Sequence, residues 1–118
     1  MNHSIVAEKS FDFAKKIVNL YKKLTINNRE YIMSKQILKS GTSIGANIKE
    51  ALRGQSRKDF LAKLYISIKE TDETEYWLQL LAETGYIDEE QSKSLLKDCR
   101  EISRILNAII RTTKTNEN

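Results

Sequence analysis

The sequence contains no proline, one cysteine, one histidine, one tryptophan and only four glycines in 118 residues. Without proline, and with glycine this scarce, little interrupts a helix, so long helices are the expectation. A lone cysteine, Cys99, allows no intrachain disulfide and rules out a cysteine-rich metal site. It reads as a small buried apolar residue. One histidine, His3, cannot supply the Glu-x-x-His pairs of a di-metal carboxylate bundle. Placed in a terminus expected to be mobile, it also leaves Ser/His and Cys/His catalysis without a partner. No apolar run approaches the ~20 residues of a membrane span, and the opening MNHSIVAEKS lacks the apolar core of a secretory signal. These absences point to a cytoplasmic protein with no membrane contact, no metal, no cofactor and no catalytic residues.

What is present is the balance of one folded domain over residues 1–118, with 40% hydrophobic and 31% charged residues. The net charge of +4 hides an asymmetry. Residues 1–63 hold 13 Lys/Arg against 5 Asp/Glu, a balance of +8, and residues 64–118 hold 7 against 11, a balance of −4. Such a split suits either a basic surface for nucleic acid or charge-complementary contact between like subunits, and it is also compatible with a merely solvated surface.

Apolar periodicity predicts four helices, over about residues 4–24, 29–53, 57–84 and 89–112, with a disordered polar tail at 113–118. In the first, Ala7, Ser10, Ala14, Ile17, Val18, Tyr21 and Leu24 form one stripe. The second is expected to end on Gly54 as a left-handed cap. Ser56 with Asp59 opens the third, and Asp88 with Gln91 opens the fourth. In the third helix Phe60, Leu64, Ile68, Thr71, Glu75, Leu78 and Ala82 share one seam. Ile66, Trp77, Leu80 and Leu81 point elsewhere, which is a second apolar face that one bundle does not require. Ile66, Trp77 and Leu81 are therefore the candidate oligomer interface, with Trp77 either its anchor or a side chain packed on a neighbouring helix end. Short connections make sequential helices antiparallel neighbours, so the expected fold is an all-α, up-down-up-down antiparallel four-helix bundle.

The second helix carries the most distinctive run, SGTSIGANIKEA at residues 40–51. At ~100° per residue, Lys35, Lys39, Thr42, Ala46, Lys49 and Arg53 fall along one line, while Ile37, Gly41, Ile44, Ile48 and Leu52 gather opposite. One face is built for close packing, with Gly41 and Gly45 letting another helix approach. A phosphate-binding loop is a poor reading of these glycines, because no strand precedes them. The other face can meet an anion. Lys35, Lys39, Lys49 and Arg53, extended by Lys16 and Lys23 of the first helix, are the candidate nucleic-acid contacts, able to neutralise phosphates with little sequence preference. No aromatic is clearly interleaved with them as a stacking platform. Glu75 lies on the apolar seam, where a carboxylate must be hydrogen-bonded or paired. Ser43 and Asn47 are its candidate donors, in a polar clamp that would fix helix register.

Together QILKSGTSIGANIKEA, QSRKDFLAKLYISIKET and ETEYWLQLL followed by TGYI resemble the intervening-sequence proteins. That family is named for open reading frames in insertions within bacterial large-subunit ribosomal RNA genes, and its members are often labelled ribosomal-protein-like. The resemblance spans roughly residues 10–110. It implies a four-helix bundle that assembles as a homopentamer with a basic surface and no established enzyme activity. A related branch, the accessory proteins of diversity-generating retroelements, binds nucleic acid and a reverse transcriptase through such a surface. Many relatives have proline in place of Gly45 and Ala-Glu-Gly in place of Lys49-Glu50-Ala51, which puts this chain in a sister subgroup. Two functions follow as expectations: a non-enzymatic oligomer binding RNA or DNA electrostatically, or a scaffold for a protein partner such as a polymerase.

Overall fold

The computed structural model describes residues 3–116. Four helices, α1 (Ser4–Ile26), α2 (Met33–Leu52), α3 (Arg57–Glu83) and α4 (Glu89–Thr115), form an antiparallel up-and-down bundle with extents of 51 × 22 × 19 Å. Each packs on its sequence neighbours and α4 returns to α1, while the backbones of the diagonal pairs stay farther apart. The buried positions recur at alternating steps of three and four. They are Val6, Ser10, Phe13, Ile17, Leu20 and Leu24 on α1, and Leu64, Ser67, Thr71, Thr74, Leu78 and Leu81 on α3. Ser92, Leu95, Cys99, Ile102, Leu106 and Ile109 repeat the spacing on α4. That 3.5-residue repeat is the signature of knobs-into-holes packing.

This repeat shifts two of the expected stripes, and on α2 Ala51 takes the core position expected of Leu52, which is exposed. On α1 the core takes Phe13 and Leu20, while Ala7 and Ala14 lie on the flank toward α2. On α3 it takes Leu61, Ser67, Thr74 and Leu81 rather than Phe60, Ile68, Glu75 and Ala82. Both flanks of these helices carry apolar residues, so a 3.6-residue wheel cannot tell seam from flank. Leu81 is fully buried and belongs to the core of its own chain, which corrects its assignment to an oligomer interface.

Small residues set the helix spacings around α2. A Cβ on Gly41 would fall 2.8 Å from Ile17 Cγ1, and one on Gly45 would fall 3.1 Å from Ser10 Oγ, so both glycines serve the approach of α1. On its other side α2 meets the hydroxyls of α3. Ser67 Oγ donates to the Ile44 carbonyl at 2.9 Å, and Thr74 Oγ1 donates to Ser40 Oγ at 2.9 Å. Ser40, Ser67 and Thr74 on this contact, and Thr71 beside Cys99 of α4, are buried, and each is hydrogen-bonded. Buried polar groups persist only when so satisfied.

The ends differ from expectation in instructive ways. Arg29 has φ 51°, and Glu30 N–H donates to the Leu24 carbonyl, so the chain turns here and α2 starts at Met33. The Glu30 carboxylate, 9% exposed, accepts from the backbone N–H of Ile32, Met33 and Ser34, which otherwise have no helical partner. Burial alone would raise its pKa. Hydrogen bonds from the Ser34, Met33 and Ile32 amides and the Ser34 hydroxyl outweigh that and hold it below the ordinary glutamate value. Gly85 (φ 85°), not Gly54, takes the left-handed conformation. Ser56 and Asp88 accept from the amides of Asp59 and Gln91. At the far end α4 continues through Thr115. Residues 113–115 are therefore helical, and the last two residues of the expected tail lie outside those described. No helix among the described residues is long and apolar enough to cross a membrane.

Candidate nucleic-acid interface

The structure divides the six candidate cations into two groups. Lys35, Lys39, Lys49 and Arg53 lie exposed along the outer side of α2, and none has a carboxylate within 4 Å among the described residues. Lys39 is near enough to Glu70 of α3 to be felt there. Burial raises the Glu70 pKa, Glu73 adds to it, and Lys39 pulls against both. Lys16 belongs to the other group. It faces α4 and pairs with Asp98 at 2.7 Å, while Lys9 pairs with Glu101 beside it. Lys23 shares an open cleft with Lys16, Asp88 and Glu90. Opposite charges join α1 to α4 at Lys9 and Lys16, so Lys16 meets a carboxylate before it meets a phosphate, while Lys23 has no carboxylate within 4 Å among the described residues.

Between α1 and α2 runs an open groove of about 990 Å³, lined by Ala7, Phe11, Ala14, Gly45, Ala46 and Leu52 and flanked by Lys49 and Arg53. Phe11 is 65% exposed, and Lys15 Nζ stands 5.4 Å from its ring centroid. An aromatic does lie beside the basic line. It escaped the sequence reading because it comes from α1, and only packing of the two helices brings it to Lys49.

The expected clamp of Ser43, Asn47 and Glu75 is not formed. Ser43 Oγ donates to the Lys39 carbonyl and Asn47 Nδ2 to the Ser43 carbonyl, both within α2. Glu75 lies on the flank of α3 toward α4, where it accepts from Arg100 Nε at 2.5 Å. Register polarity resides instead in Ser40–Thr74 and Ser67–Ile44, one face round from Glu75.

Of the remaining interface residues, Ile66 is 40% exposed, and Trp77 is partly buried against the core and edge-on to Tyr76 at 5.0 Å. His3 is not loose: its ring stacks on Phe60 at 5.4 Å. The Cys99 thiol donates to the Thr71 carbonyl, and its pKa is pushed up to about 12, first by burial and then by Glu75 and Asp72. No group of three or more His, Cys, Asp or Glu side chains able to hold a metal occurs among the described residues.

Comparison with known proteins agrees with this architecture. The model of the 23S rRNA-intervening sequence protein family matches residues 2–108, and the chain belongs to that family. It is also similar to a crystal structure of a protein with unknown function from the S23 ribosomal protein family of Bacteroides thetaiotaomicron VPI-5482. The two are 55% identical with a TM-score of 0.92, over 94% of this chain and 99% of the other. No curated protein matches the chain in sequence.

Proposed function

We propose that this chain is a non-enzymatic, cytoplasmic, homo-oligomeric protein, a pentamer by its family resemblance, that binds RNA or other nucleic acid electrostatically. The observation that carries the reading is the line of Lys35, Lys39, Lys49 and Arg53, four exposed cations without a carboxylate within 4 Å among the described residues. Phosphates replace condensed counterions at such a line, so affinity falls steeply with salt and sequence preference is low. One line holds few phosphates. Repeated around an oligomer, it would gain affinity by multivalency without any new contact. Salt-stepped gel shifts on structured RNA test the reading. Binding should be measurable at low salt and should weaken at least tenfold in the Lys35→Glu, Lys39→Glu double variant. Undetectable binding at low salt, or affinity unchanged in the variant, refutes it.

A further inference from the structure

Two of the apolar surfaces that the bundle leaves uncovered differ in shape and charge. The first is the α1–α2 groove, floored by Gly45 and Ala46 and walled by Phe11 and Leu52, with Lys49 and Arg53 on its rim. The second is the outer face of α3, where Tyr65, Ile66 and Tyr76 are 42%, 40% and 58% exposed beside the exposed Asp72 and Glu73. Lys63 on one flank of α3 pairs with Glu50 of α2, and Tyr65 on the other accepts from Lys114 of α4. This face therefore looks out at the corner between α2 and α4, diagonal to α1.

Both surfaces are mixed in charge: the α1 wall of the groove carries Glu8 and Asp12 opposite Lys49 and Arg53 of α2, and the α3 ridge carries Lys69 beside Asp72 and Glu73. Paired with the other, each finds its complement. A helix ridge bearing aromatics meets a trough floored by small residues, carboxylates meet cations, and Lys69 of α3 is available to Glu8 on the opposite wall. A side of 51 × 22 Å is large enough for the ~800 Å² per partner of a stable interface. Contact between two different surfaces is heterologous, and because the α3 ridge lies at a corner rather than directly opposite the groove each copy is turned relative to the last, as a closed ring requires. A ring with an odd number of subunits can be built in no other way.

We propose that the outer face of α3 of one copy seats in the α1–α2 groove of the next, with Ile66 and Tyr76 in the trough and Asp72 and Glu73 toward Lys49 and Arg53. This rests on the homo-oligomeric reading above. It takes Lys49 and Arg53 of the four-cation line into the subunit contact and leaves Lys35 and Lys39, which do not line the groove, to meet phosphate.

Complementation tests it. A groove variant (Phe11→Glu with Ala46→Glu) and a face variant (Ile66→Glu with Tyr76→Glu) are each examined by size exclusion with light scattering, alone and as a 1:1 mixture. Wild type should be a closed oligomer. Each variant should associate roughly a hundredfold more weakly and run as a monomer. The mixture should give a heterodimer that grows no further, since one intact groove meets one intact α3 face. A monomeric wild type would refute homo-oligomerisation itself. An assembled wild type whose variants remain assembled, or whose mixture stays monomeric, would refute these faces while leaving the oligomer standing. If circular dichroism shows either variant unfolded, the charge swap decides. Lys49→Glu with Arg53→Glu should dissociate the oligomer, and adding Asp72→Lys with Glu73→Lys should restore it. Dissociation without restoration counts against the pairing.

Discussion

Gly41 of α2 lies so close to Ile17 of α1 that a Cβ there would fall 2.8 Å from Ile17 Cγ1 and 2.9 Å from Cγ2. Both atoms sit next to the backbone of a fully buried residue and have little room to retreat. In an exposed helix Gly→Ala gains about 1 kcal/mol. Overpacking a core costs about 1–3 kcal/mol, so Gly41→Ala should destabilise the fold by about 1–2 kcal/mol. Gly45→Ala meets Ser10 Oγ at 3.1 Å and should stay within about 1 kcal/mol of wild type. Urea unfolding of both variants checks the pair, and an equally tolerated Gly41→Ala would mean the α1–α2 spacing is not set by this contact.

Glu30 makes the start of α2 dependent on pH. Its folded-state pKa lies below the ordinary value of 4.5, so its contribution is fully present above that value. The contribution is lost as pH falls through the folded value. Glu30→Gln removes the charge and should cost about 1 kcal/mol at pH 7, as for loss of a helix cap. The deficit should shrink once wild-type Glu30 is itself protonated. Thermal unfolding of both proteins from pH 7 to pH 2.5 reads the difference, and a gap constant with pH would contradict the assignment.

Hydroxyl pairs inside the α2–α3 contact should outweigh the carboxylate pair outside it. Thr74→Val keeps the shape of the side chain but leaves Ser40 without the hydroxyl it accepts from, at about 1–2 kcal/mol. The Glu75–Arg100 pair is partly exposed, with 25% and 54% of the side chains accessible, and Arg100→Ala should cost no more than about 1 kcal/mol. Chemical denaturation ranks the two, and the reverse order would restore Glu75 as the register-setting group.

Cys99 should be inert until the bundle opens. Burial foremost, then Glu75 and Asp72, push its pKa up to about 12, so almost no thiolate exists at pH 8. Labelling by a disulfide reagent in stepped urea should follow global unfolding. Rapid modification of the native protein would show that the α3–α4 seam opens locally.

The helices and their order were legible because 3-4 spacing on α4 and on α2 as far as Ile48 is clear and no proline breaks it. α1 and α3 were harder: Ala7, Ala14, Ile68 and Ala82 are apolar flank residues that a single-helix wheel cannot separate from Phe13 or Leu81. The Glu30 cap was invisible because its partners are amides two to four residues on, reached only after Arg29 takes φ 51°. Of the candidate site, the α2 line was readable, since one helix carries it. Lys16 looked equivalent until α4 supplied Asp98, and Phe11 looked unrelated until α1 packed on α2. Contacts between helices are what a linear pattern withholds.

That division gives a last expectation about binding. Lys39 and Lys16 are both exposed lysines on helices, but Lys16 is paired with Asp98 and Lys39 has no carboxylate within 4 Å among the described residues. A lysine that meets phosphate contributes roughly 0.7–0.9 to the slope of log affinity against log salt. Lys39→Gln should lower that slope by about this amount and weaken RNA binding several-fold. Lys16→Gln should leave slope and affinity within error, because the charge it removes is already compensated by α4. Both are exposed lysines on a helix, so general loss of positive charge would affect them alike. Anisotropy titrations on one RNA at four or five salt concentrations separate the cases. Equal slopes in the two variants would mean that overall charge, not the α2 line, meets the nucleic acid.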